Sequence, residues 1–366
     1  MVQKTLKRRT VNEVLFDKYT RHSIFLQQLE KGEALRIGRF LQGQVFPSLR
    51  EKILGELSKV KDIKSVGVIR RVRRLTRMLV SIQKTTAAGM VRAEKAAISR
   101  LIDVSRFEAQ WNVNTIERTV PLDIDMVMPS HAVLQELVTT KSFGGPGNQH
   151  KLDTWFKGLS KSVRSNVNKQ LRVGIAAGES VPALGKRVQK AFDTGTRQAQ
   201  AIARTATSAI VHNAREEVFK ANKQIVPKVQ WTATLDDRTT VICAGLDGKI
   251  FPTGSGPRPP IHFQCRSTIV PITPSWQEFG VTDPPPATRA SMDGGVSEKV
   301  TYKQWLKGQP KEIQIKVLGK KRAELWDNGK GRVKIERFVS RDFKPLNLKQ
   351  VARREKIPMS VIKARN

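Results

Sequence analysis

Lysine and arginine outnumber aspartate and glutamate by about two to one in this chain of 366 residues, 66 against 32, which leaves a formal net charge of +34. Charges of one sign repel one another in a compact monomer, so such a chain calls for a polyanionic partner. Nucleic acid is the usual partner of this kind, and an anionic membrane surface is the less common one. A solvated basic surface is the plain alternative.

The positive charge is unevenly distributed along the chain. Residues 61–100, 151–232 and 297–366 carry net charges of +9, +10 and +13, whereas residues 101–150 and 233–296 carry −3 and −1. The near-neutral segment at 233–296 is therefore expected to have a different task from the basic regions. Aromatic residues make up only 6% of the chain, which disfavours a single-strand binder built on base stacking.

Composition also excludes several protein classes. The sequence has no run of about 18 apolar residues, so we expect no transmembrane helix. The basic N-terminal segment lacks the apolar stretch of a secretory signal. Two cysteines, Cys243 and Cys265, are too few for a disulfide-rich secreted scaffold and favour assembly in a reducing cytoplasm.

Apolar residues recur every three or four positions in the proline-free run from residue 48 to 120, which predicts a helix with one apolar face. Arginines crowd the other face. No glutamate at helical spacing neutralises them, so we predict that they bind DNA, although a solvated helix face is the alternative reading. These residues are Arg70, Arg71, Arg73, Arg74 and Arg77.

Residues 152–222 predict several short helices, with breaks near Gly178 and at residues 193–195. Ser180, followed by Val-Pro, indicates one helix start, and Thr196 indicates another. After residue 227 the spacing of the apolar residues changes from a helical period to an alternating one. The segments KVQWTAT (228–234) and RSTIVPI (266–272) alternate in the manner of short strands.

Cysteine and histidine cluster in the segment that holds these two strands. Cys243, His262 and Cys265 offer three ligands for zinc, which takes four protein ligands in a structural site or three and a water in a catalytic one. Asp236 or Asp237 could supply the fourth ligand. Alternatively, the two cysteines are small buried hydrophobic residues that face each other, or they form a disulfide after release from the cell.

Isolated motifs are compatible with two enzyme classes. His212 and Arg215 have the H-x-x-R spacing of a tyrosine recombinase, whose nucleophile would have to be Tyr302. The Asp, His and Cys residues of the cluster could instead form a metal-dependent nuclease. The H-x-x-R spacing is common by chance, and the chain has no other dense group of carboxylates, so we predict that the protein is not an enzyme. His22 is expected at the surface or in a loop.

An aspartate–arginine turn, an LDGK-F stretch and a proline-rich turn into H-x-x-C-R follow one another between residues 232 and 272, after an A-R-T…N-A helix at 203–214. The residues concerned are Asp237, Arg238, Cys243, Leu246, Asp247, Gly248, Phe251, Pro260, His262, Cys265 and Arg266. This set resembles the Mu F-type head-morphogenesis family, the phage minor head proteins. Thr240 and Ser267 stand where that family often has cysteines, and Phe263 stands where it usually has proline. Structural roles are expected for Asp237, Arg238, Asp247, Gly248 and Arg266.

The expected fold is α+β and mainly helical. Residues 1–147 are predicted to form a helical region that docks on portal or capsid protein, and residues 148–275 a Mu F-type domain of helices and a short β-sheet. A Pro/Gly-rich linker at 276–296 and a basic helical C-terminal extension at 297–366 complete the predicted organisation.

The resemblance implies a non-enzymatic minor head protein, present in several copies in the virion and bound to portal protein, major capsid protein or both. It implies contact with packaged double-stranded DNA without sequence specificity, and a role in head assembly, DNA packaging or ejection. The implied location is the capsid interior near the portal vertex, and the host cytoplasm during assembly. No cofactor is expected apart from a structural zinc ion at the cysteine–histidine cluster. Further DNA-binding residues are predicted in the basic C-terminal extension: Lys320, Lys321, Arg322, Arg353 and Arg354.

Overall fold

Helices form most of the structure, a computed structural model that describes residues 10–61, 68–145, 148–177, 179–274, 288–297, 299–327, 331 and 333–358. The prediction of a mainly helical α+β fold is confirmed. The helices are α1 (Val11–Phe40), α2 (Phe46–Lys61), α3 (Val68–Glu117), α4 (His131–Thr140), α5 (Leu152–Ala176), α6 (Val181–Ala221), α7 (Val241–Leu246), α8 (Tyr302–Lys307), α9 (Lys311–Leu318), α10 (Lys320–Trp326) and α11 (Leu348–Glu355). A π-helical turn at Leu41–Val45 and a 3-10 turn at Ile335–Phe338 join them.

Three small antiparallel sheets accompany the helices. The strands are β1 (Phe143–Gly145), β2 (Asn148–His150), β3 (Lys228–Thr232), β4 (Ile250–Pro252), β5 (Thr268–Ile272), β6 (Thr288–Ser291) and β7 (Gly294–Ser297). The strands pair as β1-β2, β4-β3-β5 and β6-β7. The two strands predicted from alternating residues are confirmed as β3 and β5, which pair with Trp231 opposite Ile269.

The chain divides into two compact units. Unit 1 comprises residues 1–27, 107–129 and 212–366, and unit 2 comprises residues 28–106 and 130–211. These limits differ from the domain boundaries predicted at 147, 275 and 296, which stay predictions about sequence modules. The β6-β7 hairpin occupies the end of the predicted linker, and residues 276–287 lie outside the described part of the chain.

In unit 2, α5 shows how the sequence specifies a helix and its buried face. Its apolar residues are spaced by three and four positions, so they lie on one side of the helix. Phe156, Leu159, Val163, Val167 and Leu171 are all buried on that side. The helix ends at Ala176 and α6 begins at Val181, which confirms the break near Gly178 and the start after Ser180.

The predicted second break, at residues 193–195, is wrong because α6 continues without interruption to Ala221. Gly195 lies where α6 passes close to α5, and a Cβ built there would be 2.6 Å from Val163 Cγ2. Thr196 is not a helix cap, since its hydroxyl donates to the carbonyl of Phe192 within the helix at 3.1 Å. The glycine therefore serves close packing and not a turn.

Unit 1 contains an apolar core to which the sheet and the C-terminal helices both contribute. Trp231 of β3 and Leu246 of α7 are buried in the same cluster as Tyr302, Trp326 and Phe338 from the C-terminal segment. In the part of the chain that the structure describes, no helix has both the length and the apolar run that crossing a bilayer requires.

Candidate functional site

The cysteine–histidine cluster of unit 1 lies at the short helix α7. All six residues of α7 are buried, and Thr240 caps its N-terminus, accepting a hydrogen bond from the backbone N–H of Cys243 at 3.5 Å. His262 and Cys265 come from the loop before β5, where the N–H of Cys265 donates to the carbonyl of His262 at 3.2 Å. The cap and the loop turn therefore hold the three side chains on short, well-anchored segments.

The structure brings the three predicted ligands together. The Sγ atoms of Cys243 and Cys265 are 3.7 Å apart, and Cys243 Sγ lies 3.2 Å from His262 Nε2. The ligand atoms of all three residues lie within 4.8 Å of one another. Both cysteines are buried and free, so the disulfide alternative does not describe this state. Among the residues that the structure describes, no other group of His, Cys, Asp and Glu converges in this way.

Charge within the cluster is set by hydrogen bonds between the side chains. The Cys243 thiol lowers the pKa of Cys265 well below its ordinary value, against the effect of burial and together with His262. The same Cys265 contact, with burial, raises the pKa of Cys243. Burial lowers the pKa of His262, but the contacts with Cys265 and with the Phe263 carbonyl together raise it by more. The cluster thus favours a thiolate on Cys265, which is the form that binds metals.

Two hydroxyl groups complete the surroundings of the sulfur atoms. The side chains of Ser267 and Thr240 hydrogen-bond to Cys243, and Thr240 Oγ1 lies 3.0 Å from His262 Nε2. These are the two positions where the Mu F-type family often has cysteines. The structure therefore places the two departures from the family pattern at the same centre as the two cysteines that remain.

The geometry of the cluster fits three corners of a tetrahedral zinc site. Zinc–sulfur bonds of about 2.3 Å at tetrahedral angles put two sulfur ligands about 3.8 Å apart, close to the 3.7 Å found here. Cys243, His262 and Cys265 would hold the ion. Because the two sulfur atoms belong to side chains that are only 2% and 1% exposed, such a site is suited to tying the loop to α7.

Asp236 and Asp237, the candidates for a fourth ligand, are engaged elsewhere. Arg266 holds Asp236 with both guanidinium nitrogens, and Lys316 Nζ lies 2.5 Å from Asp237 Oδ2. Burial raises the pKa of Asp236, but Arg266, the Arg238 N–H and Thr239 together lower it by more, so this carboxyl stays ionised. Arg238 is largely exposed, and its backbone N–H donates to Asp236 at 3.1 Å.

Asp247 is the second anchor of the predicted structural motif. Its carboxylate accepts hydrogen bonds from the N–H groups of Ala233 and Tyr302, at 2.7 and 2.6 Å, and pairs with Arg289 at 2.5 Å. Gly248 follows with a φ of +78°, a conformation that favours glycine. Asp247 thus joins the strand β3, the hairpin residue Arg289 and the start of α8.

Tyr302 and Arg215, which a tyrosine recombinase would need, are also held in structural contacts. The Tyr302 hydroxyl donates to the carbonyl of Asp236 at 2.7 Å, and burial raises its pKa well above the ordinary value. Arg215 is completely buried and pairs with Glu108 at 2.6 Å. Its Nη1 also donates to Thr268 Oγ1 and to the carbonyl of Ile269, so this guanidinium is directed inward.

His22 is buried, and the expectation that it lies at the surface is wrong. Its ring stacks on Trp111 with centroids 3.5 Å apart, and Nε2 lies 2.7 Å from Glu108 Oε2. Sequence reasoning missed this network because its members lie far apart in the chain. The only local sign was the H-x-x-R spacing, which drew attention to Arg215 for another reason.

The predicted DNA-binding residues occupy several separate elements. Arg70, Arg71, Arg73 and Arg74 belong to α3, but their side chains lie outside the described part of the structure; Arg77, on the same helix, is exposed. Lys320 is exposed, and Arg322 donates to the carbonyl of Leu346 at 2.9 Å.

Three predicted DNA-binding residues remain: Lys321, Arg353 and Arg354. Lys321 lies 3.3 Å from Glu324, Arg353 is exposed, and Arg354 donates to the carbonyl of Val339 at 2.8 Å. Arg322 and Arg354 therefore help to hold the C-terminal segment together, whereas Lys320 and Arg353 present their charge to solvent. Their contact with DNA stays a prediction.

A search of curated proteins and a search of solved structures each found no match. The family model described as Phage Mu protein F like protein matches residues 165–270. The match covers β3, α7, the whole cysteine–histidine cluster and nearly all of β5. It confirms the resemblance predicted from the motif residues and indicates a phage head-morphogenesis protein. Over residues 165–270, the chain is thus similar to phage Mu protein F.

Proposed function

We propose that the protein is a non-enzymatic phage minor head protein that is incorporated in the virion. It binds portal protein, major capsid protein or both, and it contacts packaged double-stranded DNA without reading its sequence. It acts in head assembly, DNA packaging or ejection, in several copies in the capsid interior near the portal vertex, after assembly in the host cytoplasm. The observation that carries this proposal is the family match, together with a net charge of +34.

The charge supports DNA as the partner in particular. Packaged DNA presents a dense array of phosphates that lysine and arginine on helices bind without base contacts. Exposed cations such as Arg77, Lys320 and Arg353 are available on helices for such contacts. The low aromatic content suits a duplex, whose bases stay stacked, better than a single strand.

The residues proposed for catalysis have structural contacts in place of the geometry that catalysis needs. A buried Arg215 that is paired with Glu108 does not reach a scissile phosphate, and Tyr302 is a poor nucleophile because its hydroxyl is buried and donates to a carbonyl. Asp236 and Asp237 are neutralised by Arg266 and Lys316, which disfavours the nuclease alternative.

Fractionation of purified phage particles tests the location. We expect the chain to co-purify with DNA-filled heads and to remain after washes that remove adsorbed protein. Absence of the chain from filled heads would contradict the proposal, whatever its behaviour in solution.

Salt-dependent retardation of duplex DNA tests the partner. With roughly 6 to 10 phosphate contacts, binding should weaken by about 10³ to 10⁵ between 50 and 200 mM salt, and unrelated sequences should bind equally. Incubation of plasmid with Mg²⁺, Mn²⁺ or Zn²⁺ provides the test for catalysis. Cleavage by the intact chain that is lost in the Asp237→Ala variant would overturn the non-enzymatic assignment.

A further inference from the structure

Unit 2 carries an open basic groove of about 560 Å³ beside α5. Among the described residues, its lining combines four cations with three polar side chains and a single apolar residue, Val173, and includes no carboxylate. The cations and polar residues are Lys161, Arg164, Lys169, Arg172, Gln83, Ser165 and Asn168.

The helical register of α5 places these cations together. Lys161, Arg164 and Arg172 are separated by three and eight residues, which keeps them on one side of a helix with 3.6 residues per turn. The apolar residues Val163 and Val167 are buried on the other side. At a rise of 1.5 Å per residue, the cations from position 161 to position 172 extend over about 16 Å along the helix axis.

The positive charge of the groove is not neutralised by ion pairs with described residues. Among the described residues, none of its four cations lies within salt-bridge distance of a carboxylate, whereas nearby basic residues of the same unit are paired. Lys157 lies 3.0 Å from Asp153, and Arg187 lies 2.5 Å from Glu179. The groove cations are thus available to a ligand, and they repel one another until an anion binds.

Like the cations, the polar residues of the groove can donate hydrogen bonds. Gln83, Ser165 and Asn168 carry amide or hydroxyl groups that can donate to a phosphate oxygen. Lysine, arginine, serine, asparagine and glutamine are the side chains that contact phosphate oxygens in protein–DNA complexes.

We propose that this groove binds the sugar–phosphate backbone of double-stranded DNA. An amphipathic acidic peptide would need apolar anchor positions, and Val173 is the only apolar residue that the described part of the chain contributes to the lining. A single strand would need aromatic rings on which bases stack, and none of the described lining residues is aromatic. The inference rests on the proposed function, since it identifies where a DNA-binding head protein of this sequence holds its ligand.

Charge-matched variants of the full-length chain provide the test. The groove variant is Lys161→Gln/Arg164→Gln/Arg172→Gln. The control variant removes three exposed cations from α6 of the same unit and changes the net charge equally: Lys186→Gln/Lys190→Gln/Arg197→Gln. Circular dichroism and the thermal midpoint show whether each variant is folded. Affinity for a 30-base-pair duplex is measured against salt concentration, with polyglutamate as a competing polyanion.

The intact chain is expected to bind the duplex in preference to polyglutamate. In the groove variant the slope of log K against log salt should fall by about 2.7, because each lost phosphate contact removes about 0.9. Its affinity at 100 mM salt should drop roughly 100-fold or more, while the control variant changes the slope by less than about 1.

Three outcomes would overturn the inference. Equal effects in the two variants would assign DNA binding to another surface and leave the proposed function intact. A preference of the groove for polyglutamate would make its ligand an acidic protein segment. Failure of the intact chain to bind any duplex at low salt would remove the groove assignment together with the DNA-binding part of the proposed function.

Discussion

Glu108 and Arg215 show what a buried charge does in this protein. Both side chains are completely buried, and the ion pair that joins them also accepts a contact from His22. Burying two ions costs several kcal/mol each, and a pair repays this cost only with good geometry and further hydrogen bonds. Those bonds are present, since Asn112 donates to Glu108 and Arg215 donates to Thr268. The network therefore has little tolerance for the loss of one partner.

Replacing Glu108 with glutamine should lower the free energy of unfolding by about 3–5 kcal/mol, because Arg215 is left buried without a counter-ion. Denaturant unfolding followed by the fluorescence of Trp111, which stacks on His22, measures the effect. The control is Glu56→Gln, which removes only the exposed contact with Lys59 and should change stability by less than about 0.5 kcal/mol. A similar small change in both variants would contradict the account.

The Glu108 carboxylate also predicts that the protein loses stability at acidic pH. Burial raises the pKa of Glu108, but Arg215 and His22 lower it by more, to about 2, from an ordinary value of 4.5. The stability that Glu108 contributes is therefore complete above pH 4.5 and is lost as the pH falls toward 2. The shift is equivalent to about 3 kcal/mol. Stability measured across this range should fall more steeply in the natural chain than in the Glu108→Gln variant, and parallel curves would contradict the assignment.

The hydroxyl groups at the cysteine–histidine cluster suggest how metal affinity could be raised. Thr240→Cys/Ser267→Cys would put four thiols and a histidine around one point, since both hydroxyls already contact Cys243. We expect the double variant to bind one zinc ion far more tightly than the natural chain, because zinc favours four sulfur or nitrogen ligands in a closed site.

Titration with Co²⁺, whose absorption reports tetrahedral thiolate coordination, would measure the affinity of the double variant. Thr239→Cys/Ser255→Cys, which adds two thiols outside the cluster, is the matched control. Equal metal binding by the two variants would show that the two hydroxyl positions do not belong to the centre.

Sequence reasoning grouped the three residues that meet at this centre but missed the network at Glu108, for a physical reason. Cys243, His262 and Cys265 lie within 23 residues, a separation that one loop and a strand pair bring together. Glu108 and Arg215 are 107 positions apart and meet through the packing of two long helices. A charged residue inside a helix has the same sequence appearance whether it is buried or solvated, so the burial of this pair had no local signal.

At the scale of elements, the long helix α6 is set by packing more than by local propensity. The Asp-Thr-Gly triplet at 193–195 has the composition of a turn, yet the helix continues because Gly195 allows α5 to approach. The basic residues on the side of α5 opposite its buried face are the converse case, because local sequence is enough to predict their arrangement. Their spacing could have been found from the sequence, since Lys157, Lys161 and Arg164 recur at helical intervals opposite the apolar face.

Two glycine substitutions separate the effect of close helix packing from that of helix propensity. Gly195→Ala should destabilise unit 2 by about 1–3 kcal/mol, because the added Cβ would be 2.6 Å from Val163 Cγ2. Gly158→Ala, in α5, meets nothing within 4 Å and should stabilise by about 0.5–1 kcal/mol through helix propensity alone. Thermal unfolding followed by circular dichroism compares the two. Stabilisation by both substitutions would mean that α6 does not pack closely at this position.

For the whole molecule, the structure shows that the C-terminal segment contributes to the core of unit 1. The sequence pattern predicts a basic helical extension at residues 297–366, separated from the Mu F-type domain by a linker. Charge counts describe the surface of that segment but not its apolar face. Tyr302, Trp305, Trp326 and Phe338 are all buried in the core that also contains Trp231, so the strands of the Mu F-like region are covered by residues outside the family match.

A chain that ends at residue 297 should therefore lose the fold of unit 1. Loss of a buried aromatic side chain costs about 3–5 kcal/mol, so removal of four costs about 12–20 kcal/mol, which is as much as or more than the roughly 5–15 kcal/mol by which a domain is normally stable. A chain that ends at residue 358 retains every described element and is the control. Limited proteolysis with mass spectrometry should show rapid cleavage within residues 228–272 of the shorter chain and protection of the same residues in the control. Protection in both chains would mean that the strands and the cysteine–histidine cluster fold without the C-terminal helices, as an independent domain would.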